Sequence, residues 1–575
     1  MSGPASPPSN SRIGALLREY ADLLELRGES PFRTAAYRRA ADSLAALDRP
    51  AAELNPAELQ AVEGIGKGIS TTIGEIVARG TFGPLEELRA IIPPSVIRFT
   101  DLPGVGVKTA AKLYEELGVT TLDELREAAA AGRIGKTKGL GPRVERIVRD
   151  GLQQLEQTSA FSGRHSIGAA LPLGLLLRQL LRARLRAKGA VTAVELVGSA
   201  RRFAETVRDI NLLAGAGDPA PVLDTFAALP PVGEVLERDE QSLRVALDAG
   251  LTARLVVAPP ARFGTELARW TGSPAHLDEL RALARDRGIA DPFAGDFADE
   301  ESFYASLGLP PIAPELREGR GEVAAVREGR LPRLVALGHL RGDLHAHSTW
   351  SDGAASIAEM ARAAVARGYA YLSITDHTQS LGIANGLDER RIRAQWREIE
   401  RLNAELAPFR LLKSAEVEIR RNGGLDLPDE VLAGMDLVVA SLHTGLRGDR
   451  ATVTGRLLRA MRNPHVDIIA HPSGRLVGGR AGADYDWDAV FAAAAETRTA
   501  LEINATTERL DLRDHHARRA LDRGVALTIG SDAHSPDGFD TLVYGVAVAR
   551  RAGAGADDIL NTRSLDDLLA WARER

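Results

Sequence analysis

The 575-residue chain carries 72 Lys and Arg against 78 Asp and Glu, for a formal net charge of −6, and has no cysteine. That length suits roughly three or four domains, and 44% apolar content with well-mixed charge marks a globular chain. Disulfides and a uniformly basic, nucleic-acid-coating chain are excluded; with no apolar run of roughly 18 residues and no signal-peptide core in Met1–Ser11, no membrane partner is expected and a reducing, cytoplasmic setting is.

Residues 12–48 place Ile13, Leu16, Leu17, Tyr20, Leu23 and Leu24 at helical spacing, break at Gly28 and resume from Pro31 through Leu47. The pattern predicts a pair of amphipathic helices. Two glycine turns follow between helical patterns: Val62-Glu-Gly64-Ile-Gly66-Lys67-Gly68-Ile69 and Leu102-Pro-Gly104-Val-Gly106-Val-Lys108-Thr109. A tight Gly-hydrophobic-Gly turn exposes backbone N–H groups at a helix N-terminus, which binds a phosphate without reading bases. One copy is weak, because glycine turns commonly join helices. Two long copies, each followed by Lys and a helix, point to DNA backbone contact through Gly64, Gly66, Lys67, Gly68, Gly104, Gly106 and Lys108. Gly139-Leu-Gly141-Pro-Arg143 reads as a third, degenerate copy.

Residues 157–194 hold six basic residues (Arg164, Arg178, Arg182, Arg184, Arg186 and Lys188) and no acid. This suits either a solvated helix face or a helix lying on a DNA backbone. Val194–Val197 reads as a strand running into Gly198-Ser199, a strand-to-helix turn that suits a triphosphate. The acidic strand that follows, Asp209-Ile-Asn211, lies where a nucleotidyl transferase keeps its metal ligands.

Nine of the twelve histidines fall within residues 343–534. They cluster with acids: Asp343-Leu-His345-Ala-His347 with Asp352, Asp376-His377, Glu416, His443, His471, and Asp532-Ala-His534. Most clusters follow a short apolar run (Tyr371–Ile374, Leu437–Ala440, Val466–Ala470, Val525–Ile529), the pattern of buried parallel strands. Ligands at successive strand ends face one mouth. His-x-His on a strand puts two imidazoles on one face. A lone buried histidine is usually a hydrogen-bonded core residue, but six histidines and three carboxylates at strand ends read as a metal site. They exceed the roughly four ligands of one tetrahedral ion and suit two or three ions sharing a carboxylate. His465, His515 and His516 lie off the strand ends and are expected to be solvated.

This last stretch resembles the PHP (polymerase and histidinol phosphatase) superfamily across all its motifs, with no ligand position substituted. The resemblance implies a distorted seven-stranded α/β barrel holding up to three ions, Mn²⁺ or else Zn²⁺ or Fe²⁺. One ion falls to His345, His347, Glu416 and Asp532. A second falls to His443 and His471 with Glu416 bridging, and a third to Asp352, His377 and His534. The glycine turns resemble helix-hairpin-helix elements. Gly198-Ser199-Ala-Arg201-Arg202, Pro259-Pro260-Ala-Arg262-Phe263-Gly264 and Trp270-Thr271-Gly272-Ser273 resemble the family X DNA polymerase palm and its sugar-and-base contact turn. Together these cover nearly the whole chain, which resembles a bacterial family X DNA polymerase with a C-terminal PHP domain.

The expected organisation is a multidomain α plus α/β chain. It runs from a helical domain with the first hairpin (1–85) and a fingers-like domain with the second (86–160) to a degenerate palm-like domain (161–260). A thumb-like domain and linker (261–325) and the PHP barrel (335–575) complete it. The family's palm needs Asp-x-Asp and a third Asp on a neighbouring strand to hold two Mg²⁺ ions. Here Asp209-Ile-Asn211 and Arg254 stand at those positions, so the polymerase site is expected to be inactive or impaired, with Mg²⁺ only if it works. Asp248, in a turn before the strand, is not expected to substitute, and Arg254 is expected to pair with Asp209 or a phosphate. Gly198, Ser199, Arg201, Arg202, Trp270, Thr271, Gly272 and Ser273 would then grip a nucleotide or DNA end without chemistry. No Lys precedes residue 67, so a Lys-dependent lyase is not expected.

The resemblance implies a Mn²⁺-stimulated 3′→5′ exonuclease with 3′-phosphatase, 3′-phosphodiesterase or abasic-site activity. It would act in repair on gapped, nicked or 3′-ended DNA, without sequence specificity, as a monomer at the nucleoid. The alternatives are an active gap-filling polymerase with exonuclease, a histidinol-phosphate type phosphatase, and a non-enzymatic DNA-end scaffold.

Overall fold

The computed structural model describes residues 10–159 and 163–574, apart from 30, 46, 48, 103, 187–190, 248 and 249. The chain divides into two compact units, Met1–Ala160 and Phe161–Arg575.

In the first unit, helices Asn10–Leu26 and Pro31–Ala45 form the expected pair. Ile13, Leu16, Leu17, Tyr20, Leu23 and Leu24 are all buried in one core, the six positions that helical spacing placed on one face. Arg38 ties the pair together through Asp22 at 2.7 Å and Glu25 at 2.5 Å. Both glycine turns lead directly into helices. Gly66 caps Lys67–Arg79 and Gly106 caps Val107–Leu117 in extended conformation, while Gly64 (φ 86°) and Gly104 (φ 85°) take the left-handed region. Ile65 and Val105 point into the core and the flanking glycines outward, with Lys67 and Lys108 exposed. The tight turn is what allows this: side chains between the glycines anchor it while the helix N–H groups stay open. The degenerate third copy likewise opens helix Gly141–Ser159, with Gly139 at φ 83°.

The second unit begins with a short antiparallel ribbon of β1 (His165–Ser166) and β3 (Thr206–Val207). Then comes a mixed sheet of β2 (Ala193–Val197), β4 (Ile210–Gly215), β5 (Val232–Arg238), β6 (Ser242–Leu247) and β7 (Thr252–Ala258), in the order β2-β4-β7-β6-β5. Only β4 and β7 run parallel. β6 and β7 alternate buried and part-exposed residues, so one face packs and the other is open. Helix Ile167–Arg186 packs on β2 and β4, with Leu177, Leu181 and Leu185 in the same core as Val194 and Ile210. Several of the basic residues counted in this region are committed internally. Arg178 pairs with Glu195 at 3.1 Å, Arg184 donates to the Ala228 carbonyl and Arg164 to Thr206. Lys188 lies outside the described residues.

The barrel strands are β8 (Gly342–Ala346), β9 (Tyr371–Ile374), β10 (Arg410–Lys413), β11 (Glu416–Glu418), β12 (Val439–Ser441), β13 (Ile468–Ile469), β14 (Ala500–Asn504) and β15 (Leu527–Gly530). All pair in parallel, in two sheets ordered β10-β9-β8 and β11-β12-β13-β14-β15. Isolated parallel bridges Ala346↔Ala533 and His377↔Glu416 join the two sheets into a ring. β10 and β11 are one strand broken at Ser414–Ala415, which leaves seven staves. Burial on both faces explains the short apolar runs. One expectation shifts: β8 slips register between Asp343 and Ala346, and His347 falls just past the strand end rather than on it.

The segment between sheet and barrel, residues 263–327, has its own core around Leu280, Phe303, Tyr304 and Leu307. Arg317, almost fully buried, lies 5.1 Å over the Tyr304 ring, donates to the Ile312 carbonyl and pairs with Glu300, which also takes Arg201 at 2.7 Å. Removing one partner of such a buried charge network leaves the other uncompensated. Arg317→Met is therefore expected to destabilise this unit by about 3–5 kcal/mol in denaturant titration, against less than about 1 kcal/mol for exposed Arg393→Met.

Candidate metal centre

The carboxyl ends of the parallel strands bring all nine predicted ligands to one mouth. His345 stands at the end of β8 and His347 just beyond it, His377 follows β9, and Glu416 opens β11. His443 follows β12, His471 follows β13, and Asp532 and His534 follow β15. Asp352 arrives from the loop after β8. Glu416 is the hub. Its Oε1 lies 2.8 Å from His471 Nε2 and 3.3 Å from His443 Nε2, and its Oε2 lies 2.9 Å from His377 Nδ1, 3.6 Å from His345 Nε2 and 3.7 Å from His347 Nε2. Asp532 Oδ1 lies 3.1 Å from His347 Nε2 and 3.5 Å from His345 Nε2. Asp352 faces His377 Nε2 and His534 Nε2, both at 3.5 Å, and His347 Nδ1 at 3.8 Å.

Among the described residues, three groupings at this mouth have ligand atoms close enough to share an ion: His345, His347 and Asp532; His377, Glu416 and His443; and His347, Asp352, His377 and His534. They overlap the expected sets without matching them ring for ring: His347 and His377 each lie between two groupings, and His471, expected beside His443, faces Glu416 but joins none of the three. A neutral imidazole offers one lone pair, so each of these rings serves a single ion. The floor of the site is buried, whereas the Asp352 and His534 side chains are 34% and 41% exposed and mark the mouth.

The donor set fits metal ions. Among the described residues, His345 Nε2, both ring nitrogens of His347, His377 Nδ1 and Glu416 Oε2 are buried without hydrogen-bond partners. Buried polar atoms are rarely left so, and here they converge. Nitrogen and oxygen donors without thiolate suit Zn, Mn or Fe.

Electrostatics point the same way. Burial alone lowers an imidazole, yet Glu416 with Asp352 pushes His377 up to about 10, and Glu416 with Glu418 pushes His443 up to about 9. Burial would raise the Glu416 and Asp532 carboxyls, but the surrounding imidazoles hold both well below the ordinary range. The site is a sink for cations, protons or metal alike.

A supporting layer that the sequence reading did not identify orients the rings. Glu502 accepts from His345 Nδ1 at 2.7 Å and from the His471 backbone N–H at 2.7 Å, and Glu418 accepts from His443 Nδ1 at 2.8 Å. Each leaves Nε2 free toward Glu416, the usual carboxylate–histidine–metal relay. Asn504 donates to Asp532 Oδ2 at 3.1 Å. The signal was available in the period-two spacing of Glu416-Val-Glu418 and Glu502-Ile-Asn504 on ligand-bearing strands. Asp376 is buried and accepts from Ser348, Ser351 and Gln395, so it holds the loop that carries Asp352. A Cβ on Gly530 would fall 2.0 Å from Glu502 Oε1, so only glycine leaves room for that carboxylate. His471 (φ 28°) and Asp532 (φ 54°) take left-handed backbone conformations, a strain of order 1–3 kcal/mol each that the packed strand ends must hold.

Off the strand ends, His465 is near the surface, but His516 stacks on Trp487 at 4.0 Å and burial lowers it to about 3, so it is a packed residue and not a solvated one.

At the mixed sheet, Asn211 on β4 pairs in register with Arg254 on β7. Asn211 Nδ2 donates to Asp209 Oδ1 at 2.7 Å, and no residue of β7 is a carboxylate. Arg254 turns to Glu237 at 3.1 Å, not to Asp209 as expected; β6 places Glu237 on its side of the sheet. Asp248 lies outside the described residues. Gly198 (φ 68°) and Ser199 open a helix of four residues. Arg201, however, is taken up by Glu300 and Thr271, and Arg202 by Glu318 at 3.0 Å and the Thr271 carbonyl at 2.7 Å. Ser273 caps helix Pro274–Asp286, Trp270 packs near Val197, and Gly272 sits against Leu277. These groups hold the sheet against the following segment.

Glycine hairpins, a mixed sheet and a parallel barrel whose mouth gathers nine ligand-type side chains define a PHP-domain protein with helix-hairpin-helix modules. Residues 8–82 match the helix-hairpin-helix domain family, 96–153 the SAM-like helix-hairpin-helix tandem and 343–506 the PHP domain. Over 572 residues, 97% of this chain and 98% of the relative, the sequence is 38% identical to the DNA polymerase/3'-5' exonuclease PolX of Bacillus subtilis (strain 168), and the chain belongs to the PolX family. Shorter stretches resemble probable phosphatases. One from Thermoanaerobacter sp. (strain X514) is 30% identical over 231 residues, 38% of this chain and 89% of that protein. One from Vibrio campbellii is 28% identical over 247 residues, 41% and 94% respectively.

Glu502→Gln keeps the shape of the relay but removes its charge, and metal affinity is expected to fall about 10–100-fold in chelator competition. Stability of the metal-stripped protein follows the raised imidazoles. Their folded values lie above the unfolded value of 6.5, so their contribution is complete below pH 6.5 and lost as pH rises toward 9–10. Tm of the stripped protein should fall over that window and hold steady once metal is restored.

Proposed function

We propose that this chain is a metal-dependent DNA phosphoesterase, chiefly a 3′→5′ exonuclease, whose polymerase site is inactive or severely impaired. The observation that carries the reading is the contrast between the two sites. The barrel mouth keeps nine convergent ligand-type residues with orphaned donors, while the sheet presents Asn211 and Arg254 where paired carboxylates would be needed.

In this reading His345, His347, Asp352, His377, Glu416, His443, His471, Asp532 and His534 hold up to three ions, with Mn²⁺ the favoured metal. When bound, the ions lower the pKa of a water and neutralise charge developing on a phosphoryl oxygen. The protein's own part is positional. Glu416 sets the spacing between ligand groups, Glu502 and Glu418 fix the ring orientations, and Asp376 holds Asp352 at the mouth. Arg509, whose Nε lies 3.8 Å from Asp532 Oδ2, supplies positive charge to a phosphodiester entering there. Of the arginines after ligand segments, Arg480 donates to the Gly474 carbonyl and Arg420 to that of Asp426, so they shape loops.

Gly64, Gly66, Lys67, Gly68, Gly104, Gly106 and Lys108 bind the DNA backbone of gapped, nicked or 3′-ended substrates without reading sequence. The protein then acts at the nucleoid, as a monomer. The resemblance to probable phosphatases favours 3′-phosphate removal as an additional activity of the same site.

The test is incubation with Mn²⁺ and a gapped duplex labelled at the 5′ end of the primer strand, with and without dNTPs, beside a His345→Ala variant. Shortening that the variant loses by at least about 100-fold (2.7 kcal/mol), with no extension, is expected. Template-directed extension by the wild type would overturn the silenced-polymerase reading. Rapid turnover of small phosphate esters without DNA cleavage would overturn the nuclease reading. An Asn211→Asp, Arg254→Asp double change is expected to create extension.

A further inference from the structure

A second polar cavity, of about 290 Å³, lies between the β1–β3 ribbon segment and the barrel, lined by none of the nine ligands. Among the described residues its lining holds five guanidinium groups, Arg164, Arg320, Arg475, Arg513 and Arg551, against two carboxylates, Glu205 and Asp514. Glu205 serves Arg475 at 2.7 Å and Arg513. Asp514 serves Arg320 at 3.0 Å and Arg551 at 2.9 Å. Glu318, outside the lining, is shared by Arg551 and Arg202. Among the described residues Arg164 meets the neutral hydroxyl and carbonyl of Thr206 and no carboxylate.

The acids are thus fully used and three positive charges remain in excess. His515 supplies no negative charge in either protonation form, and burial and the neighbouring Arg513 lower its imidazole. The donors are also incompletely satisfied. Arg475 is only 7% exposed, yet among the described residues its Nε–H has no partner, and neither has the buried Nε–H of Arg513. A buried guanidinium N–H without an acceptor is costly, and forked guanidinium donors match a phosphate's oxygens. The volume sits at the lower end of small-molecule pockets, roughly 300–1,000 Å³.

We propose that this cavity binds a small phosphate-bearing anion of mononucleotide size or less. The anion would accept from the unpartnered Nε–H groups and offset the excess charge of Arg164, Arg475 and Arg513. Arg475 lies in the loop that begins at His471, and Asp511, two residues before Arg513, accepts the backbone N–H groups of Ser473 and Gly474. A bound anion would therefore brace the ligand loop of the metal centre from behind and tie it to residues 203–206.

The proposal concerns binding and stands apart from the nuclease reading, so it is tested on full-length, metal-stripped protein carrying His345→Ala, which removes phosphate capture at the metal centre. Inorganic phosphate and a 5′-mononucleotide are titrated by calorimetry and thermal shift, alongside a 5′-phosphorylated oligonucleotide. One-site binding with Kd below about 1 mM, weakened at least about tenfold by Arg164→Ala and restored in part by Arg164→Lys, is expected. Among the described residues Arg164 bears no ion pair, so unchanged Tm without ligand keeps that variant interpretable; Arg513→Ala gives a second, independent reading. Saturation by phosphate alone identifies the free ion as ligand, and tighter binding of the mononucleotide identifies the nucleotide. Absence of binding, equal binding by both alanine variants, or an oligonucleotide preference abolished only by cutting the hairpin lysines would overturn the proposal.

Discussion

Glu416 is the group on which the arrangement depends. A carboxylate at the inner end of a parallel barrel, out of reach of water, needs compensating charge from every side, and five imidazoles from four other strand ends provide it. The demand propagates outward. The rings must present a chosen nitrogen, so Glu502 and Glu418 hold the opposite one; Glu502 needs space, so Gly530 carries no side chain. His471 and Asp532 reach their places only in left-handed backbone conformations, which the strand packing enforces. Strand register, glycine placement and ring tautomer are consequences of one buried charge seeking cations.

The mixed sheet is the counter-example within the same chain. Its fold rests on hydrophobic alternation, which sustains a sheet whatever its polar positions carry. Asn211 and Asp209 satisfy one another, and Arg254 finds Glu237 across the sheet. Arg201 and Arg202, expected to grip a nucleotide or DNA end, reach Glu300, Glu318 and Thr271 and so join the sheet to its neighbour. The chemistry of a site and the stability of its scaffold are separable.

Charged contacts also tie sheet to barrel. Arg551 reaches Glu318 and the Arg202 carbonyl, Arg550 reaches Glu315, and Glu205 reaches Arg475 in the loop that follows His471. Buried or half-buried pairs of this kind add little net stability over apolar packing but penalise any other docking of the two parts. The mixed sheet therefore has a mechanical relation to the candidate metal centre.

The sequence alone determined the helix pair, the glycine hairpins, the barrel class and the identity of the nine ligand-type residues. These follow from local periodicity and from side-chain types that have few other uses at strand ends. Tertiary structure decided what depends on distance. It set which rings share a grouping, that Glu418, Glu502 and Asn504 stand behind them, that Arg201 and Arg202 are spent internally, and that Arg254 faces Glu237. Spacing along a chain says which face a side chain takes, but an arginine or imidazole chooses its partner by what the fold brings within about 3 Å, and residues hundreds apart in sequence supply it.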